Sequence, residues 1–134
     1  MKRFVLDASV TITWAMRDQD HPLADLAFSE LQSGSAIVPG IWWYEVRNIL
    51  VLCERRDRIA AADSNRFVTS LEFLHIEVDF PGSAALVTDL SRKHKLSVYD
   101  AAYLALAMRE HLPLATLDKD LANAASAEDV PLLA

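Results

Sequence analysis

At 134 residues, 52% hydrophobic and 24% charged, the chain fits one domain with a real core and is too apolar to be a disordered segment. Its net charge of −6 argues against a simple nucleic-acid-binding module, because such modules neutralise phosphate with cations. The single cysteine, Cys53, excludes an internal disulfide, no zinc cage is evident, and no stretch reaches the ~20 apolar residues needed to span a bilayer.

The first predicted element is a short strand, Arg3 to Leu6, closed by Asp7. Asp7 also cuts the apolar run that follows Lys2 and Arg3, so no secretory leader is expected and the expected compartment is the cytoplasm, with no membrane partner. Helical spacing follows through Val10 and Trp14 and, after a polar break from Arg17 to His21, through Leu23, Leu26, Ala27, Phe28 and Leu31, with Gly34 as a C-cap. Ala36 to Pro39 reads as a second strand, and helices are predicted from Ile41 to Arg56 and from Ala60 to Leu74. Ile76 to Phe80 alternates as a third strand, punctuated by Pro81-Gly82. A helix from Ser83 to Lys93, another from Ser97 to about Glu110, a fourth strand from Pro113 to Thr116 and a short helix from Leu121 to Ala127 complete the chain, with Val130 to Leu133 as a possible fifth strand. Short apolar strands separated by helices predict an α/β layer structure with a mainly parallel sheet.

Four acids stand in or beside apolar segments: Asp7, Glu45, Asp100 and Asp118. A carboxylate in such surroundings must be paired, protonated or bound to a metal. Asp7 follows the first strand, Asp118 follows the fourth, and Glu45 lies early in the helix after the second, so these three can converge at the carboxyl rim of the sheet, where open α/β sheets bind ligands. Asp100 joins them only if its helix begins on that side. Asp7, Asp100 (three residues after Ser97) and Asp118 can each also be read as helix-capping residues. Glu45 resists that explanation: it shares a helix face with Ile41, Asn48 and Leu52, and Arg47 points elsewhere. Asp120 reads as a solvated bystander. Oxygen ligands without His or Cys suit Mg²⁺ or Mn²⁺ rather than zinc.

Other constellations carry less. The four histidines lack ligand spacing and read as surface residues, and Ser9 and Ser97 lack a nucleophile elbow. With only three glycines, no phosphate-cradling loop is present. The basic clusters Arg55-Arg56-Asp57-Arg58 and Arg92-Lys93-His94-Lys95 read first as complements to helix dipoles, with RNA backbone contact as the sharper alternative. Trp42, Trp43 and Tyr44 read as core or dimer surface, with base stacking as the minority reading.

Val5-Leu6-Asp7-Ala8-Ser9, Pro39 leading to Glu45-Val46-Arg47-Asn48, Ser97-Val98-Tyr99-Asp100-Ala101-Ala102-Tyr103, and Leu114-Ala115-Thr116-Leu117-Asp118 occur in that order. Together they resemble the PIN-domain family, specifically VapC-type toxin ribonucleases of type II toxin–antitoxin systems. The resemblance spans nearly the whole chain, residues 1–134, as a single PIN-like domain. It implies a three-layer α/β/α sandwich and a Mg²⁺-dependent endoribonuclease, with Mn²⁺ as a substitute. Asp7 and Asp100 would be the firmest metal ligands, Glu45 and Asp118 would complete the acidic site, and Thr116, Ser9 and Asn48 would orient water, metal or carboxylates. It further implies an RNA substrate, a homodimer and a cognate antitoxin that covers the cleft. A housekeeping PIN nuclease of RNA processing and a non-catalytic partner-binding protein of the same fold are the alternatives. A haloacid-dehalogenase-like phosphatase would want a second Asp two residues after the first, where this chain has Ser9.

Overall fold

The structure, a computed structural model, describes residues 2–16, 21–80 and 84–134. The predicted break at residues 17–20, the Pro81-Gly82 punctuation and Ser83 lie outside the described residues. The elements are β1 (Arg3–Leu6), α1 (Ala8–Thr13), α2 (Pro22–Leu31), β2 (Ser35–Pro39), α3 (Ile41–Arg55), α4 (Ala61–Leu71), β3 (Ile76–Asp79), α5 (Ala84–His94), α6 (Val98–Glu110), β4 (Leu114–Ala115) and α7 (Lys119–Ala127).

The four strands form one parallel sheet in the order β3-β2-β1-β4. Parallel central strands are covered on both faces and read as continuous apolar runs. Phe4, Val5 and Leu6 of β1 meet this requirement and are fully buried. At the edge, β3 does not alternate in burial: Glu77 and Val78 are both exposed, and Ile76 and Asp79 are half-buried. Register pairs Phe4 with Ala36 and Val5 with Leu114, which brings the carboxyl ends of β1 and β4 side by side.

Helices cover the sheet as two groups, giving an α/β/α sandwich. The first group holds α1 to α4, with α1 packed on α2 and α3, and α3 on α4. The second is centred on α6, which packs on α5, α7, β1 and β2. A helix apolar all round belongs inside. Accordingly Ala101 and the run Tyr103 to Ala107 of α6 are buried. Each fully buried Leu or Phe in this core contributes roughly 1.5–3 kcal/mol.

Two expectations need correction. Gly34 is not a C-cap: α2 closes at Gln32, and Gly34 is required because a Cβ there would collide with the Lys2 carbonyl oxygen. Val130 to Leu133 is not a strand but a single bridge between Leu114 and Leu132. β4 is only two residues long, and Pro131 has no N–H to extend a ladder.

Candidate functional site

Asp7 occupies the N-cap position of α1, yet its side chain makes no capping hydrogen bond. The carboxylate is turned into the protein, where it is 4% exposed. Ser9 Oγ and Thr116 Oγ1 each donate to Asp7 Oδ2 at 2.7 Å. Both hydroxyls are themselves held: Leu117 N donates to Ser9 Oγ at 2.9 Å and Asp118 N donates to Thr116 Oγ1 at 3.0 Å. Backbone amides thus occupy hydroxyl lone pairs, and each O–H is directed at the carboxylate. Parallel pairing of β1 with β4 makes this possible, and Asp7 N donates to Ala115 O at 3.0 Å in the same rung. The backbone behind Asp7 is braced too: Trp42 Nε1 donates to Thr11 Oγ1 at 2.9 Å, and Thr11 Oγ1 donates to the Asp7 carbonyl at 3.2 Å.

Glu45 lies half-buried in the second turn of α3. Tyr103 of α6 donates its hydroxyl to Glu45 Oε1 at 2.6 Å. Asp100 lies in the first turn of α6, whose Ser97 N-cap accepts from Asp100 N at 3.0 Å. Asp118 caps α7, accepting from Leu121 N at 2.9 Å. The capping readings of Asp100 and Asp118 are therefore real: for Asp100 both the backbone amide and the carboxylate engage Ser97, while the carboxylate also feels Asp7 and Asp118.

The four acids feel one another. Burial raises the Asp7 carboxyl above the usual range; the Ser9 and Thr116 hydroxyls oppose the shift, and Asp118 adds to it. Burial likewise raises Glu45, opposed by the Tyr103 hydroxyl and reinforced by Asp7 and Asp100. Asp100 is raised by burial, then by Asp7 and Asp118, opposed by the Ser97 hydroxyl and reinforced last by Asp120. The first turn of α6 therefore does reach this rim, and Asp120, although exposed, contributes to the field there. Among the described residues none of the four makes an ion pair with Lys, Arg or His. Arg47 is turned away: its guanidinium stacks 3.5 Å from the Trp43 ring centre and donates to Trp43 O at 3.0 Å.

Asn48, expected beside Glu45, is exposed on α3 and makes no hydrogen bond among the described residues. Trp42 is core, whereas Trp43 and Tyr44 are exposed. The reading of all four histidines as surface residues needs correction at His94, which is largely covered and lies 2.6 Å from Glu128. Tyr103 was given no role by the sequence. The available signal was a tyrosine within an apolar helix, since a buried phenol needs a hydrogen-bond partner.

The donor set is all oxygen, which fits Mg²⁺ or Mn²⁺. Among the described residues no group of three or more Asp, Glu, His or Cys side chains is placed to hold a metal ion. A cavity of about 970 Å³ lies elsewhere, between α1, α2 and α4, where Trp14, Phe28 and Phe67 line it and none of the four acids does.

Fold and site define a class: an α/β/α protein with a carboxylate cluster at the carboxyl rim of a parallel sheet. The PIN domain pattern matches residues 4–127, and the chain belongs to the PIN domain family. Among solved structures it is similar to PAE2754 from Pyrobaculum aerophilum, with a TM-score of 0.72 and 21% identity, covering 92% of this chain and 79% of that one. It is also similar to VapC20 of Mycobacterium tuberculosis, a toxin that cleaves the sarcin–ricin loop, with a TM-score of 0.57 and 16% identity, covering 92% and 95%. At these identities the likeness is one of fold. No curated protein matches the chain. PIN domains are in general nucleases and typically use divalent metals. No helix among the described residues is long and apolar enough to cross a membrane.

Proposed function

We propose that this chain is a Mg²⁺- or Mn²⁺-dependent endoribonuclease acting as the toxin of a toxin–antitoxin pair. The observation that carries the reading is Asp7: a buried carboxylate with no cationic partner among the described residues, whose Oδ2 accepts from two hydroxyls and which lies within reach of other acids. Leaving an isolated charge in such a place costs several kcal/mol. A cation offsets that cost, and the resemblance in fold to a toxin that cleaves RNA supports the substrate class.

Asp7 and Asp100 would hold the cation, with Glu45 and Asp118 completing the site. When bound, it supplies positive charge against the phosphate and lowers the pKa of a water. The chain's own residues do the rest. Ser9 and Thr116 fix the plane of the Asp7 carboxylate. Glu45, held through Oε1, keeps Oε2 free to orient the attacking water. Asp118 adds negative charge at the rim and positions α7. A cognate antitoxin and a second copy of the chain are the proposed protein partners.

The test is expression of the chain alone, with RNA ends mapped, beside Asp100→Asn. Growth arrest with discrete 5′ ends that the variant lacks is the expected result. Unchanged growth and RNA, together with no cleavage in vitro with Mn²⁺, would leave the nuclease reading without support.

A further inference from the structure

We propose that Tyr103 is a positioning residue of this site, holding the Glu45 carboxylate among carboxylates that repel it. The inference rests on the nuclease reading above for its consequence, but on geometry for its existence. Tyr103 lies one turn beyond Asp100 on α6, so the two residues share a side of that helix. Its side chain is fully buried, and its hydroxyl donates to Glu45 Oε1 at 2.6 Å, within the range of charge-assisted O–H···O bonds. The Ala8 amide, next to Asp7, faces the same phenol oxygen. Standing on α6, that hydroxyl thereby reaches across to α3.

A buried tyrosine needs an acceptor, and a backbone carbonyl would serve at less cost than a half-buried carboxylate with no counter-ion among the described residues. Glu45 has freely rotating torsions, and Asp7 and Asp100 both disfavour its charge. Without the hydroxyl, rotamer entropy and repulsion act together to turn Glu45 outward into water. The hydroxyl engages one carboxylate oxygen and leaves the other available at the rim.

Tyr103→Phe removes the hydroxyl and keeps the ring. The expected result is a fall in kcat of about tenfold or more, with KM for RNA unchanged and Mn²⁺ affinity by calorimetry lowered several-fold. Glu45→Ala alone should show comparable losses, and adding Tyr103→Phe to it should cause none further, since the two act as a unit. Wild-type kcat and Mn²⁺ affinity in Tyr103→Phe would overturn the proposal. So would equal losses from Tyr103→Phe in the presence and absence of Glu45, which would mark a merely structural tyrosine. If wild type binds Mn²⁺ but cleaves no RNA, the nuclease reading fails while the calorimetric cycle still decides the role of Tyr103. If wild type neither binds Mn²⁺ nor cleaves RNA, both are overturned.

Discussion

Asp7 is shaped by opposing influences: burial and the neighbouring charge of Asp118 raise its pKa, while two hydroxyl donors on one oxygen and the Ala8 backbone lower it. Burial wins, and the folded-state pKa lies above that of the unfolded chain. The folded protein therefore binds more protons than the unfolded one as pH rises from about 4. The sign follows: metal-free stability falls as pH rises from the unfolded value through the folded one, then levels. Glu45 and Asp100, raised for the same first reason, act in the same direction. Asp7→Asn removes its share of that loss. We expect the metal-free variant to be at least as stable as wild type near neutral pH and to show a flatter pH dependence in urea titrations, while RNA cleavage is abolished. A marked drop in melting temperature would instead mean that the carboxylate serves the fold.

At the scale of elements, the helix ends are unusual. Asp57, Lys95, His111 and Asp129, which follow α3, α5, α6 and α7, all adopt positive φ without being glycine. This conformation costs an L-residue roughly 1 kcal/mol. Lys95 is exposed and forms no ion pair among the described residues. Lys95→Gly should therefore stabilise the protein by about 0.5–1 kcal/mol in chemical denaturation. A loss of stability would show that the lysine side chain contributes more than its backbone strain costs. The end of α5 is also fastened to α7: Lys93 Nζ lies 2.8 Å and His94 Nε2 2.6 Å from Glu128 Oε2. The hydrogen bonds from Lys93 and His94 lower the Glu128 pKa. That contribution is present above the unfolded glutamate value and is lost as pH falls through the depressed folded one. Glu128→Gln should cost about 0.5 kcal/mol at pH 7, as a solvent-screened pair does. The difference from wild type should vanish in strong acid, and urea midpoints across that range measure it.

For the whole molecule, the proposed function would make the acidic rim the link between metal, stability and substrate. A cation that binds only the folded state stabilises it by about 2.7 kcal/mol at a hundred times its Kd. For a chain of this size that corresponds to a rise in melting temperature on the order of ten degrees. Mg²⁺ or Mn²⁺ should give such a rise in thermal melts, and Asp7→Asn or Asp100→Asn should remove most of it. The net charge of −6 adds a second consequence. Without the cation, acids face phosphate directly, so RNA affinity should fall on adding chelator. Equal affinity with and without chelator would count against a metal-bridged substrate complex.

Much of this could be read from the sequence because local patterns report local physics. The apolar run of β1 announced a strand of a parallel sheet, Ser97 announced the start of α6, and Ile76 to Phe80 announced the third strand, although its burial does not alternate. The four acids were legible as charges in apolar company. Gly34 was misread because the carbonyl it must avoid, that of Lys2, is distant along the chain. Val130 to Leu133 was misread because its propensity exceeds what a two-residue neighbour can pair. Composition and periodicity alone thus determined a parallel α/β protein with misplaced carboxylates. Tertiary structure decided that Asp7 is held by hydroxyls from the start of α1 and the end of β4, that Glu45 is tied to Tyr103, and that α6 begins on the same rim. Those contacts join residues far apart in sequence, and only a folded sheet with its helices in place brings such groups within hydrogen-bonding and Coulombic reach.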